Sequence, residues 1–375
     1  MTVRKVLITG AQGFLGRNLM LALDRDPLTS TFPMGRDELP DRLDACAEDV
    51  DFVVHLAGVN RSDDEAAFVE GNVELTAQLC RALSATGRSV PVIFSSSVHV
   101  GADSPYGETK RAAEEELSRY SVQTGSAVYL ARLTNVFGKW ARPNYNSVVA
   151  TFCHAIQRRL PATIHDPDAP LRLCYVDDVV DVVSSVIQAG TPASGIHELN
   201  IQPIYKTTVG ELHTTLTRFR DTREAGVIPD LSDGLRKRLF TTYLSYAPDD
   251  ELAYGVDLKQ DDRGWLFEFL RSEAAGQIFV STTRPGVTRG NHFHDSKVER
   301  FCVISGSGRI SFRRMDNHTE HFVDVGSDSI QVVEIPPGTL HSITNTGASE
   351  MITLFWANEP FDVDRPDTWS TERSD

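Results

Sequence analysis

The hydrophobic pattern changes character partway along the chain. In the first part, short unbroken apolar runs alternate with longer stretches of helical periodicity. Lys5-Val6-Leu7-Ile8-Thr9, Asp51-Phe52-Val53-Val54-His55-Leu56-Ala57-Gly58 and Pro91-Val92-Ile93-Phe94-Ser95-Ser96-Ser97 have the texture of strands buried on both faces. Between and after them, Asn18 to Leu23, Asn72 to Leu83 and Lys110 to Tyr120 carry a helical pattern. This alternation predicts an α/β fold with a doubly wound parallel sheet.

From about Asp249 the runs shorten and are separated by Gly, Pro and Asp turns. Gln277 to Ser281, Arg300 to Ile304, Gly308 to Phe312 and Met351 to Trp356 predict an all-β sandwich or barrel. The boundary is expected in the Pro-containing acidic stretch Tyr246-Ala247-Pro248-Asp249-Asp250, giving domains 1–247 and 248–375. A chain of 375 residues suits two such domains. No internal repeat is evident, and the polar stretch from Arg365 to Asp375 reads as a loosely held tail.

Charge and cysteine usage narrow the function. The net charge of −15 argues against a nucleic-acid partner, which requires a basic face. It leaves room for an anionic ligand, because a helix N-terminus and a few local cations bind a diphosphate in an acidic protein. No apolar run approaches the roughly 20 residues of a membrane span. Residues 1–5 lead directly into a strand, so no signal peptide is expected. Five cysteines, an odd number without a C-x-x-C pair, imply reduced thiols and a cytoplasmic location.

Two constellations carry chemistry. Thr9-Gly10-Ala11-Gln12-Gly13-Phe14-Leu15-Gly16 follows a predicted strand and opens a predicted helix. That is the context in which glycines let backbone approach a dinucleotide pyrophosphate. Tyr106 and Lys110 lie four apart and share a helix face, where an ammonium would lower the phenol pKa and ready it as a proton donor. In the second part, His292 and His294 share a strand face, Glu299 follows, and His341 comes after the turn Pro336-Pro337-Gly338. Three imidazoles and a carboxylate suit Zn²⁺ or another first-row divalent ion. His318 and His321 read as a solvated hairpin tip and Cys302 as a packed thiol.

The first constellation resembles the extended short-chain dehydrogenase/reductase family over residues 3–245. The resemblance rests on the glycine spacing, His55-Leu56-Ala57-Gly58, Tyr106-x3-Lys110, Arg132 to Gly138 and Tyr175-Val176-Asp177-Asp178. It implies a hydroxyl from Ser95 to Ser97 on the reacting carbonyl, with Ser97 favoured, and a structural role for Asn72. It also implies cofactor contacts from Gly10, Gly13, Phe14, Gly16, Leu56, Ala57, Tyr106 and Lys110. Beyond the second strand an acid would bind the ribose of NAD, whereas this chain has Gly35-Arg36, and Arg36 suits the 2′-phosphate of NADPH.

The second constellation matches the two motifs of the cupin family, Gly286-x5-His292-x-His294-x4-Glu299-x6-Gly306 and Pro336-x-Gly338-x2-His341-x3-Asn345. Ile330 stands where the second motif usually opens with glycine. The whole chain resembles the CapF-type bifunctional enzymes of capsular polysaccharide synthesis. Further support comes from His55 to Arg61, Gly138-Lys139-Trp140, Pro143 to Val148, Thr242 to Tyr246 and Asp261 to Gly264. That resemblance implies a UDP-linked 4-keto-6-deoxy amino sugar as substrate, C3 epimerisation by the cupin, then NADPH-dependent reduction at C4. The product would be a UDP-N-acetyl-6-deoxy-L-talosamine. The alternatives are a single-step 4-keto-sugar reductase whose cupin serves dimerisation or ligand sensing, and a non-catalytic nucleotide-sensing regulator. A barrel with open edge strands also predicts a homodimer.

Overall fold

A computed structural model describes residues 3–35, 42–190, 194–255, 259–261, 264–266, 271–272, 276–359 and 363–371. Arg36, Asp262 and Arg263 lie outside them. The chain forms two compact units. One comprises Met1–Phe137, Asn144–Ser147 and Leu171–Lys206, the other Gly138–Pro143, Val148–Pro170 and Thr207–Asp375. The sequence boundary near residue 247 falls within the second unit, which holds the helices Val148–Gln157, Val209–Glu224 and Gly234–Leu244 as well as the β-rich part.

The first unit is built on a six-stranded parallel sheet. It contains β1 (Arg4–Thr9), β2 (Thr29–Met34), β3 (Phe52–His55), β4 (Val92–Ser97), β5 (Ala127–Leu133) and the strand Gly195–Glu198. The spatial order is β2-β1-β3-β4-β5 and then Gly195–Glu198. The central strands are apolar on both faces because helices cover both. One layer buries Leu7, Val53, Phe94, Leu117 and Val128; the other buries Ile8, Val54, Ile93, Val179 and Val183. Chain order reverses between β1 and β3. In an open α/β sheet this switch point opens a crevice at the carboxyl ends of the strands, where ligands bind.

The β-rich part of the second unit is antiparallel. One sheet has the order Ala253–Gly255, Gln331–Ile335, Glu299–Ser305, Met351–Ala357, Gln277–Thr283. The other has Glu320–Gly326, Ser307–Arg314, Thr339–Asn345, Thr288–Phe293, Trp369–Ser370. Alternate residues turn inward, as in Gly308, Ile310 and Phe312, which are buried while Ser307, Arg309 and Ser311 are exposed. Phe301, Val303, Val333 and Phe355 of one sheet meet Ile310, Phe312, Val325 and Ile343 of the other in a common core. The architecture is cupin-like, as the motifs imply.

The tail differs from its sequence reading. Trp369–Ser370 pairs with the strand Thr288–Phe293, matching His292 to Ser370 and Phe293 to Trp369. A loosely held end was expected because the stretch has no apolar periodicity. Its anchorage comes from backbone pairing and a single aspartate instead.

Candidate functional site

The first cluster of site residues lies at the switch point. Gly10 follows β1 with a positive φ of 70°, and a Cβ there would come within 2.7 Å of the Ala57 backbone nitrogen beyond β3. A Cβ on Gly16 would come within 2.3 Å of the Gly10 carbonyl oxygen. Both glycines therefore let the turn, the adjoining strand end and the helix α1 (Phe14–Leu23) approach closely. Gly13 is the N-cap of α1, offers no side-chain cap, and no acidic side chain occupies the first turn. An uncapped helix end whose first turn carries no acidic side chain suits a pyrophosphate, so the cradle fits a dinucleotide.

His55, at the end of β3, is a structural neighbour of this cradle. Its Nδ1 is 2.7 Å from the Thr9 hydroxyl and its Nε2 is 3.0 Å from the Thr76 hydroxyl. Burial first, and the Lys110 charge second, push its pKa down to about 3, so the ring stays neutral. Asn72 sits in a π-helical stretch, Val69–Glu74. Its amide accepts from Val59 N at 2.9 Å and donates to Val59 O at 2.9 Å and to the Thr109 hydroxyl at 3.2 Å. The widened turn thus ties the loop after β3 to the helix that carries Tyr106.

That helix, Pro105–Thr124, begins at Ser104, whose hydroxyl caps Gly107 N. Tyr106 and Lys110 share one of its faces, beside the end of β4. Three consecutive serines in β4 have three different partners. Ser95 donates to the His55 carbonyl at 3.2 Å. Ser96 donates to Glu114, whose carboxylate is also held by Arg132 at 2.7 and 3.0 Å. Ser97 accepts from His99 N at 3.1 Å and hydrogen-bonds the Tyr106 phenol.

The electrostatics depart from the sequence expectation. The Tyr106 pKa is raised, because burial of the phenol outweighs the Ser97 hydrogen bond. Lys110 is buried. Its ammonium donates to the Ser95 carbonyl at 2.9 Å and lies 4.7 Å from the centre of the Phe94 ring. Burial brings its own pKa down to about 8, against an opposing pull from Glu114. The spacing of the pair was visible in the sequence; the cost of removing both groups from water was not.

Lys110 consequently burdens the fold. Its folded pKa of about 8 lies below its ordinary 10.5, so at pH 7 the protein carries a buried ammonium at a cost. The unfolded chain binds more protons between those two values, so stability rises with pH across that window. Lys110→Met should therefore stabilise the protein at pH 7 by about 1–3 kcal/mol, after allowance for the lost hydrogen bond to Ser95. Urea unfolding at pH 7 and pH 10 checks this. A Met variant no more stable than wild type at pH 7, or one whose advantage does not shrink by pH 10, contradicts it.

The second cluster lies in the antiparallel part. His292 lies in the strand Thr288–Phe293, His294 follows it, Glu299 opens the strand Glu299–Ser305 and His341 lies in Thr339–Asn345. One ligand atom from each falls within 4.8 Å of all the others. Glu299 Oε2 lies 3.0 Å from His294 Nε2 and 3.1 Å from His341 Nε2. A bulge between Gly290 and His292 turns His292 toward the others, with ring centres 5.0 Å from His294 and 4.7 Å from His341.

His341 Nε2 is buried without a well-directed hydrogen bond, and its Nδ1 is held by the Thr339 carbonyl at 3.1 Å. His294 Nδ1 is held by the Asp367 carbonyl. Both rings therefore carry a proton on Nδ1 and turn Nε2 toward Glu299, the orientation of metal-ligating imidazoles. Burial, and then the other two imidazoles, lower the His292 pKa to about 4. Burial works against the Glu299 anion, but the His294 and His341 rings that face it outweigh burial and hold the carboxyl well below its usual range, and the same pairing raises the His294 pKa against its own burial. A divalent cation would take the place of the ring protons that face Glu299 and find three imidazoles and an ionised carboxylate around it, so the donor set fits one.

Some neighbours of this cluster were not singled out from the sequence as site residues. Gly338, in the turn before His341, has φ 69°, and a Cβ there would come 2.7 Å from Trp140 and 3.2 Å from Lys139. The buried Lys139 ammonium is 3.9 Å from Asp295, next to His294. The Gly138-Lys139-Trp140 motif thus packs on the turn that carries a metal-type histidine. Asp367 came from a stretch without periodicity, where only the nearby Pro366 and Trp369 hinted at an ordered end. His318 does sit at a hairpin tip and Cys302 is packed in the core. Among the described residues no helix is long and apolar enough to cross a membrane.

Both parts of the chain match known protein families. Residues 6–201 match the NAD dependent epimerase/dehydratase family, and residues 259–369 match the polysaccharide biosynthesis C-terminal domain. A UDP-2-acetamido-2,6-beta-L-arabino-hexul-4-ose reductase of Pseudomonas aeruginosa is 42% identical over 366 residues, covering 98% of each chain. The crystal structure of the capsular polysaccharide assembling protein CapF from Staphylococcus aureus superposes with a TM-score of 0.66. It shares 37% identity and the match covers 98% of this chain and 100% of that one. A UDP-glucuronic acid 4-epimerase from Bacillus cereus, solved with NAD, is 21% identical. It covers 58% of this chain and 83% of its own with a TM-score of 0.53, and so shares the fold of the N-terminal part. The chain belongs to the NAD dependent epimerase/dehydratase family, and within it to the CapF-type proteins that carry a polysaccharide biosynthesis C-terminal domain.

Proposed function

We propose that the protein is a bifunctional enzyme of nucleotide-sugar biosynthesis. Residues 248–375 epimerise C3 of a UDP-2-acetamido-2,6-dideoxy-4-hexulose. Residues 1–247 then reduce the C4 ketone with NADPH, giving a UDP-N-acetyl-6-deoxy-L-talosamine. The observation that carries this reading is the end-to-end match to a reductase named for such a 4-ketosugar, in a chain that holds two separate clusters of reactive groups.

NADPH supplies the hydride when bound, and the glycine cradle of Gly10, Gly13 and Gly16, with Phe14, Leu56 and Ala57 beside it, would hold its diphosphate end. Tyr106 keeps its proton through neutral pH because its pKa is raised, so it has a proton to give when a ketone oxygen gains negative charge. The Ser97 hydroxyl, on the phenol, orients the same oxygen. Lys110 keeps positive charge beside the acceptor and fixes the end of β4 through the Ser95 carbonyl.

In the second cluster His292, His294, Glu299 and His341 would hold one divalent ion, with zinc the natural choice for three imidazoles and a carboxylate. The ion when bound supplies positive charge against the negative charge that develops when the C3 proton leaves. That proton is acidic because it lies next to the C4 ketone, and reduction afterwards fixes the new configuration. A cytoplasmic homodimer fits this reading. The strand Gln277–Thr283, at the edge of its sheet with Ile278 and Val280 exposed, offers a pairing surface.

The direct test is incubation of the keto sugar with the protein in D₂O without NADPH. Deuterium should enter at C3 while C4 remains a ketone. Exchange no faster than in buffer would leave the single-step reductase as the better account. Cofactor choice has its own test in Arg36→Ala, which should raise KM for NADPH at least tenfold and leave KM for NADH nearly unchanged. Equal use of both cofactors by the wild type would remove Arg36 from the site.

A further inference from the structure

The turn that joins His294 to Glu299 is held by a residue some seventy positions away. The Asp367 carboxylate takes three successive backbone N–H groups of that turn, Asp295 at 2.8 Å, Ser296 at 3.0 Å and Lys297 at 2.8 Å. It also accepts the Ser296 hydroxyl at 3.0 Å and the Trp369 indole N–H at 3.3 Å. The Asp367 carbonyl holds His294 Nδ1, and the preceding Pro366 carbonyl accepts the Lys297 ammonium at 2.8 Å. Three residues after Asp367, Ser370 pairs with His292 itself. One short segment therefore touches two of the four clustered residues and three of the four residues that lead to a third.

Packing alone does not require this arrangement. A tail that only covered the core would do so with apolar side chains. Here a half-buried carboxylate accepts five hydrogen bonds, four of them from the turn between His294 and Glu299. Asp367 also adopts a positive φ of 38°. Aspartate, asparagine and glycine tolerate that region best, so the backbone turns there to present carbonyl and carboxylate together.

We infer that Asp367 is a positioning residue for the metal centre, setting the orientation of His294 and the reach between His294 and Glu299, with the segment Pro366–Ser370 as its support. The inference rests on the reading of the four-residue cluster as a metal site. Partners behind the ligands typically change metal affinity about 10–100-fold when removed.

The test is Zn²⁺ affinity measured by competition with a chromophoric chelator, together with the visible absorption of the Co²⁺-substituted full-length protein. Asp367→Gly removes the carboxylate without backbone strain and should weaken Zn²⁺ binding about 10–100-fold and alter the Co²⁺ bands. Asp367→Asn keeps the backbone and one acceptor and should fall between Asp367→Gly and wild type. If Asp367→Gly binds Zn²⁺ as the wild type does, with unchanged Co²⁺ bands, the tail is packing and the inference is overturned. Should Asp367→Gly fail to fold, Ser296→Ala and Trp369→Phe each remove one hydrogen bond to the carboxylate and should weaken Zn²⁺ severalfold; unchanged affinity in both overturns the inference equally. Wild-type protein that takes up no Zn²⁺ overturns the metal reading itself, and that failure is distinct because it shows in the wild type before any variant is made.

Discussion

Tyr106→Phe should lower the rate of NADPH-dependent ketone reduction by about 10²–10⁴-fold, the usual share of a general acid. The substitution removes one oxygen and leaves the ring, which packs edge-on against Phe68 with centroids 6.3 Å apart. The helix Pro105–Thr124 keeps its Ser104 cap, so folding should be little affected. Dinucleotide binding should persist, because the cradle at Gly10 and Gly16 involves no phenol. C3 deuterium exchange should also persist, because the proposed function assigns that proton to the histidine cluster. Stopped-flow oxidation of NADPH with the keto sugar reads the first effect, and NMR of the sugar in D₂O reads the second. Near-normal NADPH oxidation would remove Tyr106 from the proton path.

The raised pKa of Tyr106 gives this prediction a pH dependence. A phenol that holds its proton to higher pH than usual remains a donor throughout the neutral range. The phenol itself should therefore impose no alkaline limit until well past neutrality, and a fall centred near pH 8 would report loss of the Lys110 charge instead. A loss of reduction centred near pH 7 would mean that the phenol ionises far more easily than its buried setting allows, and that Lys110 does lower it as the four-residue spacing alone suggests.

Local features of the sequence carried most of the fold. Strands buried on both faces, such as Val92 to Ser97, appear as unbroken apolar runs, and β-rich segments such as Gly308 to Phe312 appear as alternation. The glycine loop was legible because close backbone approach leaves a residue type behind. His292 and His294 were legible because their spacing equals the strand period. What stayed hidden depends on partners distant in sequence. Ser95, Ser96 and Ser97 differ by whether the His55 carbonyl, Glu114 or Tyr106 lies opposite, and nothing within the triplet encodes that. Asp367 lies in a polar stretch whose three N–H partners are contributed by a turn from another strand pair. The rise in the Tyr106 pKa follows from burial that only the packed helix and strand produce. The membership of Gly138–Pro143 in the second compact unit has the same origin, since those residues meet the Gly338 turn only after folding.

The double variant His292→Ala with His294→Ala should empty the metal site and abolish C3 deuterium exchange while leaving NADPH binding intact. Two of four donors are lost, and Glu299 and His341 alone cannot hold a divalent ion tightly. His294 is nearly fully buried and shares Glu299 with His341, so its loss also leaves the carboxylate with one fewer hydrogen bond. Some loss of stability is therefore expected, and it stays local if the core around Phe301, Ile310, Val333 and Phe355 remains packed. Metal content by atomic emission should drop from about one ion per chain to none. Fluorescence titration should give an unchanged NADPH affinity, because Gly10, Gly13 and Gly16 lie in the other compact unit. Any ketone still reduced would retain its original C3 configuration, so NMR of the product would reveal a different sugar. If the double variant still exchanges the C3 proton at the wild-type rate, the cupin serves as scaffolding and the protein is a single-step reductase.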